Sequence, residues 1–224
     1  LGLNYEMWER QILDLTEQFT ILRYDLLGHG LTPEPTGELS IARFVDQLTK
    51  LIEFVNFNNF ALVGFSLGGI IARAFTIKYP QLVRSLVLIS TAHKRTEEQR
   101  ASIHDRALQV KLHGSASTVN DALERWFTKQ FLDSHIDVQN QISRWLLSND
   151  SDVYSRIYSI FAEADKELIN SIAQITCPTL IVSCEGDHGN SPLMARQMAE
   201  QIKNARVAII PKLKHMGLFE DPNV

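Results

Sequence analysis

The stretch Phe60–Tyr79 (FALVGFSLGGIIARAFTIKY) constrains the fold more than any other part of the chain. An apolar run, FALVGF, ends at Ser66, and a second run, apolar nearly all round, begins at Leu67. The first reads as a buried strand, the second as a buried helix stopped by Pro80. Strand and helix are separated by a single residue, so the turn must be sharp, and Gly64, Gly68 and Gly69 supply small residues on both sides of it. Another buried strand, Arg84–Ser90 (RSLVLIS), follows. Continuous apolar strands joined by helices predict a parallel sheet covered on both faces.

The same rhythm extends upstream. Asn4–Gln18 carries Trp8, Ile12 and Leu15 on one helical face, Phe19–Asp25 (FTILRYD) reads as a strand, and Gly28–Gly30 as a turn. Pro33 and Pro35 mark a loop. Ser40 is placed to cap an amphipathic helix whose stripe is Ile41, Phe44, Val45, Leu48, Leu51, Ile52 and Val55. From residue 93 to about 170 the pattern changes, and no convincing strand is found. A capping box at Thr96 and Gln99 opens a helix that Gly114 stops. Helices are expected near 117–131, 136–148 and 151–162, rich in aromatics such as Trp126, Phe127, Phe131, Trp145, Tyr154, Tyr158 and Phe161. Strands return at Pro178–Cys184 (PTLIVSC) and Arg206–Ile210 (RVAII), with a helix opened by Ser191 and Pro192 between them. The expected division is a core in two pieces, 1–92 and 171–224, around a helical cap at 93–170.

Composition excludes several functions. The chain has 224 residues and a net charge of −4, which gives no electrostatic case for nucleic acid or an anionic membrane. Its apolar runs are strand-sized, far short of the ~20 residues that span a bilayer. Cys177 and Cys184 flank a strand at no metal or redox spacing. They read as buried structural thiols, and so few cysteines suggest a cytoplasmic protein. There is no phosphate loop, dinucleotide fingerprint or histidine pair at metal spacing, so neither cofactor nor metal is expected.

Gly64-Phe65-Ser66-Leu67-Gly68 fits G-x-S-x-G in the strand-turn-helix setting which that motif requires. A serine on so sharp a turn is lifted off the sheet, and the helix start aims free N–H groups at developing negative charge. The bland alternative is a buried turn built from small residues. A serine hydroxyl is a weak nucleophile without a base. His215 lies a few residues past the last strand and fits that role. The orienting acid should follow the preceding strand, where Asp187 is favoured and Glu185 stands close behind. Asp221 is too near the base in sequence. His29 and Asp25 read as structural residues of their loop, and His188 as surface.

On these residues the chain resembles the α/β-hydrolase family over nearly its whole length. LGLNYEMWERQ looks like the segment after the family's His-Gly oxyanion turn, and RYDLLGHGLT like its fourth strand and loop. CPTLIVSCEGDHGNSP looks like the acid strand and IIPKLKHMGLFEDP like the histidine loop. The combination is most similar to 3-oxoadipate enol-lactonases and small-ester carboxylesterases. The resemblance implies an α/β fold with a mostly parallel sheet, and Leu67 and Leu1 as donors of the oxyanion-hole N–H groups. It also implies that the chain is truncated at both ends, lacking the first three strands and a closing helix.

The expected activity is hydrolysis of a small carboxylic ester or lactone through an acyl-enzyme. The partner is that small molecule, beneath a cap that excludes water. Phe65, Met216, Trp126 and Trp145 are candidate pocket walls, although most cap aromatics should form the cap's own core. A carbon–carbon hydrolase of β-diketone-like substrates is less favoured, because members of that group often carry Asn where this chain has Phe65. A receptor-like protein retaining the triad is the remaining alternative.

Overall fold

The computed structural model describes residues 1–34 and 37–224, so Pro35 of the expected Pro33–Pro35 loop lies outside the described residues. The strands are β1 (Phe60–Phe65), β2 (Val83–Ile89), β3 (Thr179–Cys184) and β4 (Ala205–Ile210), forming one sheet in the order β1-β2-β3-β4. Every pairing is parallel, with Phe65 opposite Ile89, Ile89 opposite Val182, and Cys184 opposite Ile210. All four strands therefore end at the same edge of the sheet. Helices cover both faces, the arrangement expected for this α/β class.

The helices are α1 (Glu9–Leu15), α2 (Ile41–Val55), α3 (Leu67–Lys78), α4 (Glu97–His113), α5 (Val119–Trp126), α6 (Lys129–Ser134), α7 (Ile136–Leu147), α8 (Ser151–Glu163), α9 (Pro192–Gln201) and α10 (Gly217–Glu220). Ser40 caps α2 through the Arg43 N–H, and Asn56 ends the helix in the left-handed conformation. The stripe buries Ile41, Phe44, Val45, Leu48 and Ile52 against α3, whose Ile70, Ile71 and Phe75 are themselves inaccessible. Each such side chain withdrawn from water contributes about 2 kcal/mol.

Three expectations need correction. Phe19–Asp25 is not a strand. A strand exists only by pairing, and among the described residues nothing pairs with this segment; β1 is bonded to β2 on one side only. Phe19 and Ile21 are exposed, and so is Val63 of β1. Second, Leu15 of the first amphipathic segment is exposed, and the segment is a 3-10 turn, Tyr5–Trp8, running into α1. Third, Cys184 is buried but Cys177 is only half-buried. Burial pushes the Cys184 thiol up to about 11, which leaves it unreactive.

Between β2 and β3 the chain is helical, running from α4 to α8, with α4 packed along α8. The capping box at Thr96 and Gln99 and the stop at Gly114 are as expected. One carboxylate ties the ends of this insertion together. Asp165 is fully buried and accepts four hydrogen bonds. Arg95 gives its backbone N–H at 3.0 Å and Nη1 at 3.2 Å, and Arg100 gives Nη1 at 2.8 Å and Nη2 at 3.2 Å. Both guanidiniums also reach the last carbonyls of α8, Phe161 and Ala162. No helix among the described residues is long and apolar enough to cross a membrane.

Candidate active site

Because the sheet is parallel, the residues that follow β1, β3 and β4 gather at one edge. Ser66 comes directly after β1, Asp187 three residues after β3, and His215 five residues after β4. Ser66 has φ 54° and ψ −115°, a strained conformation for any residue with a Cβ, and is buried. Its N–H donates to Ile89 O at 2.9 Å, and its carbonyl accepts from Thr91 Oγ1 at 2.8 Å and from Gly69 N at 3.0 Å. The turn is thus pinned to the end of β2.

The two motif glycines are not equivalent. A Cβ on Gly64 would meet the Gly68 carbonyl and lie 2.7 Å from the Gly69 Cα, so strand and helix can approach only without one. A Cβ on Gly68 would meet nothing within 4 Å, so the expectation that both glycines make room for packing holds at Gly64 alone. Gly69 instead presses on Thr91, with an added Cβ 2.5 Å from the threonine Cβ. Leu67 is fully buried in the first turn of α3, where backbone N–H groups have no acceptor within the helix.

His215 is 8% exposed and Asp187 3%. His215 Nδ1 lies 2.7 Å from Asp187 Oδ2. The other carboxylate oxygen, Oδ1, accepts from Asn190 N at 3.0 Å. Asn190 itself is buried, its carbonyl accepts from Ser183 Oγ on β3 at 3.0 Å, and its Nδ2 sits 3.3 Å from His215 Nδ1. Asp187 is therefore held on both oxygens. Glu185, the competing acid, is exposed and accepts from the Lys212 N–H at 2.9 Å, which braces one loop on the other. His188 is exposed, as expected of a surface residue.

The Phe65 ring lies 4.8 Å from the imidazole and Trp126 6.1 Å from it, so β1 and α5 both wall the histidine. Trp126 O accepts from Met216 N at 2.9 Å, which fixes α5 over the histidine loop. Phe65 and Met216 also line a small apolar crevice with Met7, Trp8 and Phe219. Trp145 faces elsewhere: its indole N–H donates to Glu6 at 3.1 Å, and its ring meets Phe219 edge-on at 6.3 Å. Leu1 packs on the shared core, and Gly2 beside it, at φ 80°, leaves no room for a Cβ under Tyr154. His215 makes no hydrogen bond with Ser66 Oγ in this conformation, a contact that commonly tightens only when substrate is bound.

His29 and Asp25 have the structural roles expected of them. Asp25 accepts from Tyr5 N at 2.6 Å and Leu31 N at 2.8 Å. His29 Nδ1 faces Leu27 O at 3.1 Å, and burial pushes the ring down to about 3, keeping it neutral. Sequence reasoning missed Asn190, since its part is played chiefly by a backbone N–H that any residue but proline carries. It also missed Asp165, whose arginine partners lie 65 and 70 residues away. Among the described residues no group of histidines, cysteines and carboxylates gathers at metal-binding geometry.

The sequence profile of the alpha/beta hydrolase fold matches residues 1–112. A hydrolase of (E)-2-((N-methylformamido)methylene)succinate from Acinetobacter baylyi is 26% identical over 216 residues, covering 96% of this chain and 81% of that protein. The 3-oxoadipate enol-lactonase 2 of the same organism is 24% identical over 222 residues, covering 99% and 81%. The crystal structure of an enol-lactonase from Burkholderia xenovorans superposes with a TM-score of 0.91 at 24% identity, covering 100% of this chain and 84% of that one. These relatives are hydrolases of small molecules, and the chain belongs to the alpha/beta hydrolase fold family.

Proposed function

We propose that this protein is a serine hydrolase of small carboxylic esters or lactones, with Ser66 as nucleophile, His215 as base and Asp187 as the acid that orients it. The observation that carries the reading is the buried His215–Asp187 hydrogen bond of 2.7 Å, made at the sheet edge where the strained Ser66 turn also ends. With its Nδ1–H given to Asp187, the imidazole presents an unprotonated Nε2. That nitrogen takes the Ser66 proton as the hydroxyl oxygen bonds to the substrate carbonyl carbon. The Leu67 N–H and the N–H of Leu1 hold the oxyanion. The carbon–oxygen bond to the leaving alcohol then breaks, and His215 returns the proton to the alcohol. Water attacks the acyl-enzyme by the same route and frees the acid and Ser66.

Asp187 stabilises the imidazolium in both steps and keeps its own charge throughout. Asn190 holds the second oxygen of that carboxylate and so fixes its plane. The helices over residues 93–170 act as the cap, with Trp126 and Phe65 keeping water from His215. The core is formed by residues 1–92 and 171–224. The names of the relatives, an enol-lactonase and a succinate-derivative hydrolase, support small hydrolysable substrates.

A panel of p-nitrophenyl esters and simple lactones tests the reading. Ser66→Ala should lower kcat/KM by roughly 10³-fold or more while the protein stays folded. A fluorophosphonate should label Ser66 in the wild type. Near-wild-type turnover by the alanine variant, or a label mapped to another serine, refutes the assignment.

A further inference from the structure

Thr91 lies two residues past the end of β2 and is 3% exposed. Its hydroxyl faces the Ser66 turn: Thr91 Oγ1 donates to the Ser66 carbonyl at 2.8 Å. Both flanks of the threonine are fixed. Ser90, in the left-handed region at φ 46°, gives its N–H to Val182 O on β3 at 2.8 Å. Ala92 O accepts from Arg73 Nη2 at 2.6 Å. Arg73 is fully buried on α3, and its Nε reaches back to Gly69 O at 3.4 Å. One guanidinium therefore joins the first turn of α3 to the residue after Thr91. The fit between them is close, since a Cβ on Gly69 would lie 2.6 Å from Thr91 Oγ1. Glycine at 69 is what leaves room for the hydroxyl.

The carbonyl that Thr91 holds belongs to the same peptide unit as the Leu67 N–H. A trans peptide is planar, and its C=O and N–H point in opposite directions. The tilt of this plane relative to Ser66 is set by one torsion, the Ser66 ψ of −115°. Fixing the carbonyl end therefore fixes the direction of the N–H. Gly69 N also donates to this carbonyl, at 3.0 Å, but it belongs to α3 and moves with it. The Thr91 hydroxyl comes from the end of β2 and ties the peptide to the sheet. It has a second effect. A hydrogen bond accepted at the carbonyl polarises the peptide and strengthens the donor at its other end.

We infer that Thr91 is a positioning residue: through the Ser66 carbonyl it aims and polarises the Leu67 N–H toward the negative charge that develops beside Ser66. The inference rests on the hydrolase reading, which supplies the role of the Leu67 N–H. Thr91 touches neither substrate nor reacting atoms and acts only through the peptide it holds. The full charge on the oxyanion exists in the transition state and not in the bound ester. Thr91 therefore acts on kcat and leaves KM nearly unchanged.

The test compares the wild type, Thr91→Val and Thr91→Ser on p-nitrophenyl acetate. Valine keeps the shape and removes the hydroxyl, whereas serine keeps the hydroxyl. Removing an oxyanion donor outright costs about 10²–10³ in kcat, and a misaimed donor loses part of that. Thr91→Val should lower kcat at least about tenfold with KM changed less than about twofold, and Thr91→Ser should recover most of the loss. Trifluoroacetone gives a second readout: its carbonyl carbon bonds to the Ser66 oxygen, the serine proton passes to His215, and an oxyanion is left in place. Its inhibition constant should rise in Thr91→Val by the same factor as kcat/KM falls. Circular dichroism and thermal unfolding establish that the variants fold, and Thr91→Ala replaces the valine variant if that one does not. Ser66-dependent hydrolysis with an unchanged kcat in Thr91→Val overturns the inference and leaves the hydrolase reading standing. So does a loss confined to KM, or one that Thr91→Ser fails to recover. If the wild type hydrolyses no ester, the hydrolase reading falls, and labelling of Ser66 by diethyl p-nitrophenyl phosphate decides the rest. Labelling at least about tenfold slower in Thr91→Val upholds the role of Thr91, and equal or absent labelling overturns it.

Discussion

Replacing Asp165 by asparagine keeps the size of the side chain and removes its charge. The carboxylate accepts four hydrogen bonds from Arg95 and Arg100, two on each oxygen. In asparagine one of those oxygens becomes an NH2 that points donors at donors, so two of the four bonds are lost and two buried guanidiniums lose their counter-charge. Breaking a buried ion pair from one side costs about 3–5 kcal/mol. At about 2–4 °C per kcal/mol for a chain of this size, Asp165→Asn should lower Tm by roughly 6–20 °C. Urea unfolding at neutral pH should show the same loss in free energy. The pH dependence follows from the carboxyl itself. Burial alone would raise its pKa, but the hydrogen bonds from Arg100 and the Arg95 N–H outweigh burial and hold it below the ordinary value. Its contribution is therefore fully present above the unfolded value of about 4 and is lost as pH falls through the lowered folded value. The gap between wild type and variant should narrow only in that acid range. A loss below about 1 kcal/mol at neutral pH would refute the clamp, because it would mean that water or a rearranged arginine replaces the carboxylate at little cost.

The two glycines flanking Ser66 should respond differently to the same substitution. Gly64→Ala drives a Cβ into the Gly68 carbonyl and should destabilise by about 1–3 kcal/mol or more, whereas Gly68→Ala meets open space and should be neutral or up to about 1 kcal/mol stabilising in thermal unfolding. Equal effects would contradict the close approach described at Gly64. His29, held near 3 by burial, stays neutral in the fold while the unfolded chain takes up a proton near pH 6.5. Its stabilising contribution is complete above about 6.5 and is lost progressively as pH falls toward about 3. Between about pH 7 and about pH 5 this amounts to ~2 kcal/mol, which His29→Asn should remove from the urea-derived pH slope; an unchanged slope would show that His29 is protonated in the fold.

The elements legible in the sequence are those decided by their own residues. The α2 stripe, the Ser40 cap, the capping box at Thr96 and Gln99, and the four apolar runs that became β1–β4 all needed only local pattern and turn chemistry. Phe19–Asp25 has the same strand composition as β1 and yet is not a strand. Composition measures how well a segment would fit a sheet, and pairing decides whether it does. The choice of Asp187 over Glu185 as the nearer acid was open at the level of spacing. It turns on which of two loop carboxylates points inward, and that is settled by the Asn190 N–H on one and the Lys212 N–H on the other.

What stayed hidden shares one property: its partner is distant in sequence and chemically unremarkable there. Asp165 reads as one more charge in a helical, charged segment until Arg95 and Arg100 fold back on it. Trp126 and Trp145 look alike as cap aromatics, yet one walls His215 and the other closes on Glu6 and Phe219.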